Sequence, residues 1–217
     1  INTKALYKKG FKNIYFESCE NIDFIGDFSK NTQITTCSLS HIELANENFV
    51  SFLQSLEKLK ELSINFVDLS HNISKLHFLT NLHLTDLRLE FCKLREIPDF
   101  FYNLIYLEKL DISHNPSLTR LDNKISMLTN LEYLDIRATN ILALPNSFRY
   151  LEKLKKFLYI KLNHPYFIPK KILKNQEIKS FIEIDDKEQK WLKQFKDDKL
   201  NYDIDLIEAY HEQSKRT

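Results

Sequence analysis

One spaced pattern of apolar residues returns about every two dozen positions along most of this chain. It is clearest in the segments LRLEFCKL from Leu87, LEKLDISHNPSL from Leu107 and LEYLDIRATNI from Leu131. The copies, aligned on their first apolar residue, start 23 to 25 residues apart, at Phe11, Ile34, Leu59, Leu84, Leu107, Leu131 and Leu154. A steady period of this length indicates a stacked repeat architecture in which each copy is one structural unit.

The middle of each copy is predicted to form a β-strand with one buried face. In the copy from Leu107, apolar Leu110 and Ile112 alternate with polar Lys109 and Asp111. This is the period of two that side chains follow along a strand. No copy can cover its own apolar face, so the core must come from stacking, with each fully buried Leu or Ile contributing about 1.5 to 3 kcal/mol.

A turn position follows each predicted strand. In four copies this position holds a small polar or thiol side chain, namely Cys19, Cys92, Asn115 or Thr139. Such a side chain can hydrogen-bond to backbone groups of the turn that otherwise lack a partner. Ile42, Val67 and Leu162 stand there in the other three. Those three turns therefore need another way to satisfy their backbone.

Each copy then crosses back through a second apolar set. Examples are Ile97, Phe101 and Leu104 in one copy, and Leu144, Phe148 and Leu151 in another. The pairs Ile97–Pro98 and Leu144–Pro145 are predicted to help close the return turn, because proline has a restricted φ and cannot join a central ladder.

These residues resemble the leucine-rich repeat family. The family template, LxxLxLxx(N/C)xL with a period of about 20 to 29 residues, matches best over residues 84 to 154. The resemblance implies an α/β fold, a curved solenoid with a parallel β-sheet on the concave face and irregular or helical segments on the convex side. It also implies a non-catalytic module that binds a protein partner on the concave β-face, because such arrays present a rigid extended surface and vary its columns to change partners.

The pattern divides the chain into three parts. Residues 1–10 are predicted to be an N-terminal cap segment that masks the first copy, and residues 11–165 carry about seven repeats. From residue 166 to 217 the repeat spacing fails, and Trp191, Leu192 and Phe195 share one helical face. We predict a helical C-terminal cap, because about 50 residues is small for a separate catalytic domain.

The solvent-facing strand residues are the candidate partner-binding site. Corresponding residues of adjacent copies should lie about 4.8 Å apart and form columns of side chains. The predicted contact residues are Phe66, Arg88, Glu90, Phe91, Asp111, His114, Tyr133, Asp135 and Arg137. Two alternatives to this role stay open. The charges form a ladder of weak solvated pairs, such as Asp86–Lys109 and Arg88–Asp111, and do not bind a partner. The two phenylalanines are buried under the turn and do not face a partner.

Composition disfavours most other classes of site. The only glycines are Gly10 and Gly26, which argues against a phosphate-cradling loop or a dinucleotide fingerprint. With a formal net charge of +1, the chain is not expected to be attracted electrostatically as a whole to nucleic acid or membrane. His71, His77 and His83 recur every six residues, which is not the spacing of a helical zinc pair. We therefore predict no enzyme, no cofactor, no metal and no nucleic-acid partner, and expect a monomer.

The cysteines and the first residue bear on the compartment. Three cysteines without paired spacing, Cys19, Cys37 and Cys92, indicate reduced structural thiols and favour the cytoplasm. There is no run of 18 apolar residues. The chain opens on Ile1 rather than Met, so a removed signal or anchor keeps a secreted or surface-anchored protein open.

Two other functions compete with the interaction module. The first is a secreted ligase-type effector enzyme with the repeats as its substrate-recognition arm, and the second is a surface-exposed adhesin. Bacterial ligases of that kind use a cysteine beyond the repeats, and no cysteine follows Cys92.

A basic stretch runs from Arg149 to Lys179, with nine cations against Glu152 and Glu177, and an acid-rich stretch follows it. We expect the two stretches to neutralise each other. The alternative is that the basic end binds an acidic partner, phosphate backbone or anionic lipid.

Overall fold

The computed structural model describes residues 11–17, 33–42, 47–141 and 144–158, all within one compact unit. Seven strands form one parallel sheet in chain order: β1 (Asn13–Glu17), β2 (Thr36–Ser40), β3 (Glu61–Asn65), β4 (Asp86–Arg88), β5 (Lys109–Asp111), β6 (Tyr133–Asp135) and β7 (Lys156–Leu158). Every strand begins two residues after the predicted start of its copy. The repeat array is therefore confirmed, one strand for each copy.

The sheet has the predicted register. Asp86 of β4 pairs with Lys109 of β5, which pairs with Tyr133 of β6, and Arg88, Asp111 and Asp135 pair in the same way two residues later. The first three strands keep this register over five residues each. The columns of side chains expected from the alignment are thus confirmed.

One face of the sheet is buried by the segments that cross back. These segments contain the α-helix α1 (Glu47–Gln54) and four 3₁₀ helices at Ile73–Asn81, Asp99–Asn103, Asn123–Met127 and Asn146–Tyr150. Pro98 and Pro145 stand immediately before two of the 3₁₀ helices, where their restricted φ suits a helix start. Inward strand residues such as Leu110 and Leu134 have no exposed surface. We call the opposite, solvent-facing side of the sheet the open face.

The buried turn position is satisfied in the way its side chains allow. The Asn115 amide donates to the carbonyls of Leu89, Ile112 and Ser113 at 2.8 to 2.9 Å, and its oxygen accepts from the N–H groups of Cys92 and Leu94 at 2.9 and 3.0 Å. Three of these five partners lie in the preceding copy. One asparagine side chain therefore joins two copies as well as closing its own turn.

The other described turns use fewer bonds. Thr139 Oγ1 donates to the Ile136 carbonyl at 2.7 Å within its own copy. The Cys92 thiol donates at 2.9 Å to the carbonyl of Ile64, which belongs to the copy with Val67 at the turn position. In the copy with apolar Val67 at the turn position, a backbone carbonyl is therefore bonded by a side chain of the neighbouring copy, as the sequence predicts.

The residue before each described turn position has a left-handed backbone. His41, Phe66, Phe91, His114 and Ala138 have φ between 53° and 57°. This conformation costs a non-glycine residue about 1 to 2 kcal/mol. Because it recurs at the same place in five copies, it belongs to the geometry of the repeat turn and does not mark one strained functional residue.

Replacing Ala138 by glycine should therefore stabilise the protein. Ala138 is exposed and has a φ of 53°, a value that glycine adopts without steric cost. We expect Ala138→Gly to raise the free energy of unfolding by about 0.5 to 1 kcal/mol in urea denaturation. The control Ser38→Gly, in the extended strand β2, should lower it, and stabilisation by both variants would contradict this interpretation.

Several predicted features fall wholly or partly outside the described residues: the cap segment 1–10, the repeat residues 159–165, the helical cap 166–217, the turn residues Cys19 and Leu162, and most of the basic stretch from Arg149 to Lys179 with the acid-rich stretch after it. Their boundaries stay predictions. Among the residues that the structure describes, no helix has both the length and the apolar character needed to cross a membrane.

Candidate functional site

The nine predicted contact residues occupy the open face and its edge across four consecutive copies, those of β3 to β6. They fall into two groups. The charged and tyrosine side chains lie along the strands and just after them, and the rings of Phe66, Phe91 and His114 lie one residue before the turn position. The register of the sheet brings the members of each group side by side.

Asp86 is the centre of the first charged cluster. Its side chain is 8% exposed, and its two oxygens accept from Arg88 Nε and NH2 at 3.1 Å each. Lys109 Nζ lies 3.7 Å from the same carboxylate. One buried carboxylate thus holds two cations, and its hydrogen bond raises the pKa of Arg88.

The predicted Asp86–Lys109 pair is confirmed, and the predicted Arg88–Asp111 pair is wrong. Residues two apart on a strand point to the same face, and the planar guanidinium of Arg88 reaches back along its own strand to meet both oxygens of Asp86. This two-point contact takes the place of the single contact expected across strands.

Asp135 is the centre of the second charged cluster. It is fully buried, and it accepts from the Arg137 guanidinium at 2.7 to 3.0 Å and from the Tyr133 hydroxyl at 3.1 Å. Burial, then the charges of Asp135 and Asp111, raise the pKa of Tyr133. A partner cannot touch the Asp135 carboxylate directly. The carboxylate instead fixes the positions of Arg137 and Tyr133.

Asp111 and Glu90 differ from these two carboxylates. Within the described part of the chain, neither has a cation within 4 Å, although Asp111 is only 9% exposed. Asp111 Oδ1 accepts from the Ser113 N–H at 3.0 Å. Burial raises the pKa of both carboxyls, and the charge of Asp111 raises that of Glu90 further.

A hollow opens on the open face beside these groups. It has a volume of about 220 Å³, and its lining residues are Asp86, Arg88, Lys109, Asp111 and Tyr133. The Arg88 and Lys109 side chains are about half exposed at this place. The hollow therefore combines exposed cations with carboxylates that are almost completely buried.

Four rings form a ladder along the edge of the open face. His41, Phe66, Phe91 and His114 stack with centroid distances of 4.4, 4.4 and 4.2 Å and interplanar angles of 11°, 9° and 19°. The spacing is close to the separation of neighbouring strands, so the stack follows from one ring per copy at one repeated backbone conformation. We call these four residues the ring ladder.

Three of the four rings of the ladder are exposed, and His114 is half-buried. Phe66 and Phe91 keep 46% and 39% of their surface in contact with solvent, so the alternative that they tuck under the turn is wrong. Left-handed backbone at both residues turns the rings away from the core. His41 was not among the predicted contact residues, although it stands one residue before the turn position, as Phe66, Phe91 and His114 do in their copies.

The described residues include histidine, cysteine and carboxylate side chains. No group of histidine, cysteine and carboxylate side chains among them could hold a metal ion. Cys37 and Cys92 are buried free thiols, and burial raises the pKa of each to about 12, which keeps both in the unreactive protonated form. What these residues present is a surface of fixed charges and exposed rings.

Comparison with protein families matches residues 82–141 to the leucine-rich repeat. Among relatives, the chain is 32% identical over 134 residues to a receptor-like protein Cf-9 homolog of Solanum lycopersicum, covering 60% of this chain and 16% of that protein. It is 31% identical over 125 residues to the disease resistance protein RFL1 of Arabidopsis thaliana, covering 58% and 11%. The chain thus spans less than a fifth of either relative.

Solved structures of similar topology include an internalin from Listeria monocytogenes, with 20% identity and a TM-score of 0.49 over 70% of this chain and 41% of that one. The leucine-rich repeat domain of the type III effector XopL has 26% identity and the same TM-score over 61% and 44%. The family match spans three of the copies described above. Together with the seven parallel strands, one for each copy, this match shows that the described repeats have the fold of a leucine-rich repeat solenoid.

Proposed function

We propose that this chain is a non-catalytic interaction module whose protein partner docks on the open face across β3 to β6. The observation that carries the proposal is the exposure of Phe66 and Phe91 beside the held guanidinium groups of Arg88 and Arg137. Aromatic and arginine side chains supply much of the energy at protein interfaces. A soluble protein rarely exposes stacked aromatic rings without such a use.

The surface is already organised for binding. Arg88 and Arg137 are each fixed by a carboxylate of their own strand, and each ring is fixed by its neighbours in the ladder. A partner therefore meets side chains that have lost most of their freedom before contact, which lowers the entropy cost of association. Six strand intervals of about 4.8 Å make the sheet roughly 30 Å wide. This width is enough for a standard interface of about 800 Å² per partner.

The relatives support a recognition role. One is named a receptor-like protein and the other a disease resistance protein. The matched parts of both are small fractions of their length, so only the general role carries over to the proposal. Its partner has to be found by experiment.

Affinity capture with the wild type and with a triple variant, Phe66→Ala, Phe91→Ala and Arg88→Glu, tests the proposal. We expect the triple variant to lose the partner, because each removed hot-spot side chain contributes about 2 kcal/mol or more, or roughly 30-fold in Kd. The measurement is quantitative mass spectrometry of captured proteins, followed by titration of the enriched partner.

A matched control replaces two exposed apolar residues and one lysine on the helical side: Met127→Ala, Tyr150→Ala and Lys124→Glu. This control should keep the partner. If both triple variants retain it with the wild-type affinity, the binding surface lies elsewhere.

A further inference from the structure

We infer that the partner of the open face presents a cationic side chain, lysine or arginine, to Glu90 and Asp111, next to an apolar side chain that covers Phe66 and Phe91. The inference rests on the proposed function and adds the chemistry of the partner to it. It comes from the distribution of charge over the open face and from the position of the ring ladder.

The cations around the hollow are already engaged. Arg88 and Lys109 both contact Asp86, and Arg137 contacts Asp135. In the same described region, Glu90 and Asp111 have no cation within 4 Å. The charge that this surface lacks is therefore positive, and an acidic partner would place like charges together at these two carboxylates.

The two carboxylates are also partly withdrawn from water. Asp111 is 9% exposed, and Glu90, on the preceding copy, is half-buried. A carboxylate in this position has given up part of its hydration without gaining a contacting cation, since Arg137 and Arg88 act on the two groups only from beyond 4 Å. A cation supplied by the partner compensates for that loss. Asp111 lines the hollow of about 220 Å³, which is large enough to hold ordered water. The head group of a lysine or arginine is smaller than this space.

The ring ladder determines which kind of side chain of the partner lies beside its cation. Glu90 directly precedes Phe91 in the chain, and the Phe91 ring stacks on His114 with a centroid distance of 4.2 Å. An apolar side chain over Phe66 and Phe91 would exclude water from the edge of the acidic pair and strengthen the charge contact. The fitting segment thus carries a cation and an apolar residue close together.

A random peptide library displayed on phage and selected against the immobilised full chain at low salt provides the test. The selected peptides should contain lysine or arginine near an aromatic or aliphatic residue. We expect replacement of that cation by glutamine to weaken binding by tenfold or more, and we expect the affinity of the original peptide to fall as salt rises.

The matching change in this protein is the double variant Glu90→Gln, Asp111→Asn. Both substitutions keep size, and the amide oxygen that replaces Asp111 Oδ1 can still accept from the Ser113 N–H. We expect tenfold or greater loss of affinity for the cationic peptide and an unchanged melting temperature or a higher one. The control Asp99→Asn, Glu132→Gln removes two carboxylates that each contact a lysine outside the hollow, and it should bind like the wild type.

Carboxyl NMR adds a second readout. On binding the cationic peptide, the raised pKa values of Glu90 and Asp111 should fall, because a nearby cation favours the ionised form. Unchanged pKa values in a saturated complex would place the cation elsewhere and overturn the inference.

The outcomes separate the two proposals. The cation inference fails and the proposed function stands in two cases. In the first, the selected peptides lack cations. In the second, they bind the variant Glu90→Gln, Asp111→Asn as tightly as the wild type but do not bind the variant Phe66→Ala, Phe91→Ala, Arg88→Glu. Peptides that bind both variants equally well overturn the proposed function too. Enrichment of no peptide, or occupation of the acidic pair by a second copy of this chain, also overturns the inference.

Discussion

Replacing Leu110 by aspartate is expected to unfold the copies around β5. Leu110 has no exposed surface and lies in register between Leu87 and Leu134 on the buried side of the sheet. The substitution removes about 1.5 to 3 kcal/mol of apolar burial and places an unpaired carboxylate between two copies, at a further cost of several kcal/mol. A loss above about 4 kcal/mol is expected, which is more than most single substitutions cause.

Thermal and urea unfolding followed by circular dichroism measure this effect. Ser117→Asp adds the same charge at an exposed position and should change the free energy of unfolding by no more than about 0.5 kcal/mol. If Leu110→Asp melted within about 1 °C of the parent protein, the register that buries Leu110 between two copies would be wrong.

Asn115→Ala should have the second largest effect. The side chain is fully buried, and removing it leaves five backbone groups without their partner, three of them in the preceding copy. Each buried group left unsatisfied costs about 1 to 3 kcal/mol, and water entering the space recovers part of this. We expect a net loss of about 3 to 5 kcal/mol.

Two further variants at the turn position separate lost bonds from lost volume. Asn115→Asp keeps the acceptor for the Cys92 and Leu94 N–H groups but directs a carboxylate at three carbonyl oxygens, so it should be at least as damaging as alanine. Thr139→Val removes the one described bond of Thr139 and should cost only about 1 kcal/mol. Equal losses for Asn115→Ala and Thr139→Val would show that the five bonds contribute little.

The side-chain geometry of the candidate site was less predictable than its place in the fold. Arg88 was expected to reach across to Asp111 and instead binds Asp86 on its own strand. Both carboxylates are within reach of a long flexible side chain, and an alignment of copies does not give the rotamer or the hydrogen-bond geometry that selects one of them. The charged pairs of an open face are therefore the part of such a surface that needs coordinates.

The burial of carboxylate side chains on the open face could also not be predicted from the alternation of apolar and polar residues. Asp135 and Asp111 occupy positions that alternate away from the core, yet neighbouring side chains cover them almost completely. Exposure at such a position depends on the size and direction of the residues on both adjacent strands. The carboxylate of Asp135 is therefore closed to solvent and contacts Arg137 and Tyr133 instead.

The sequence by itself determined the number of copies described, the start and register of each strand, the buried apolar face and the column that contains the ring ladder. These properties follow from a constant repeat length and a period of two, both of which are local and repeat in every copy. Only the tertiary structure decided that the rings stack in solvent, that Asp86 holds two cations, and that Glu90 and Asp111 hold none among the described residues. These outcomes depend on distances between side chains of different copies, which exist only once the copies are packed together.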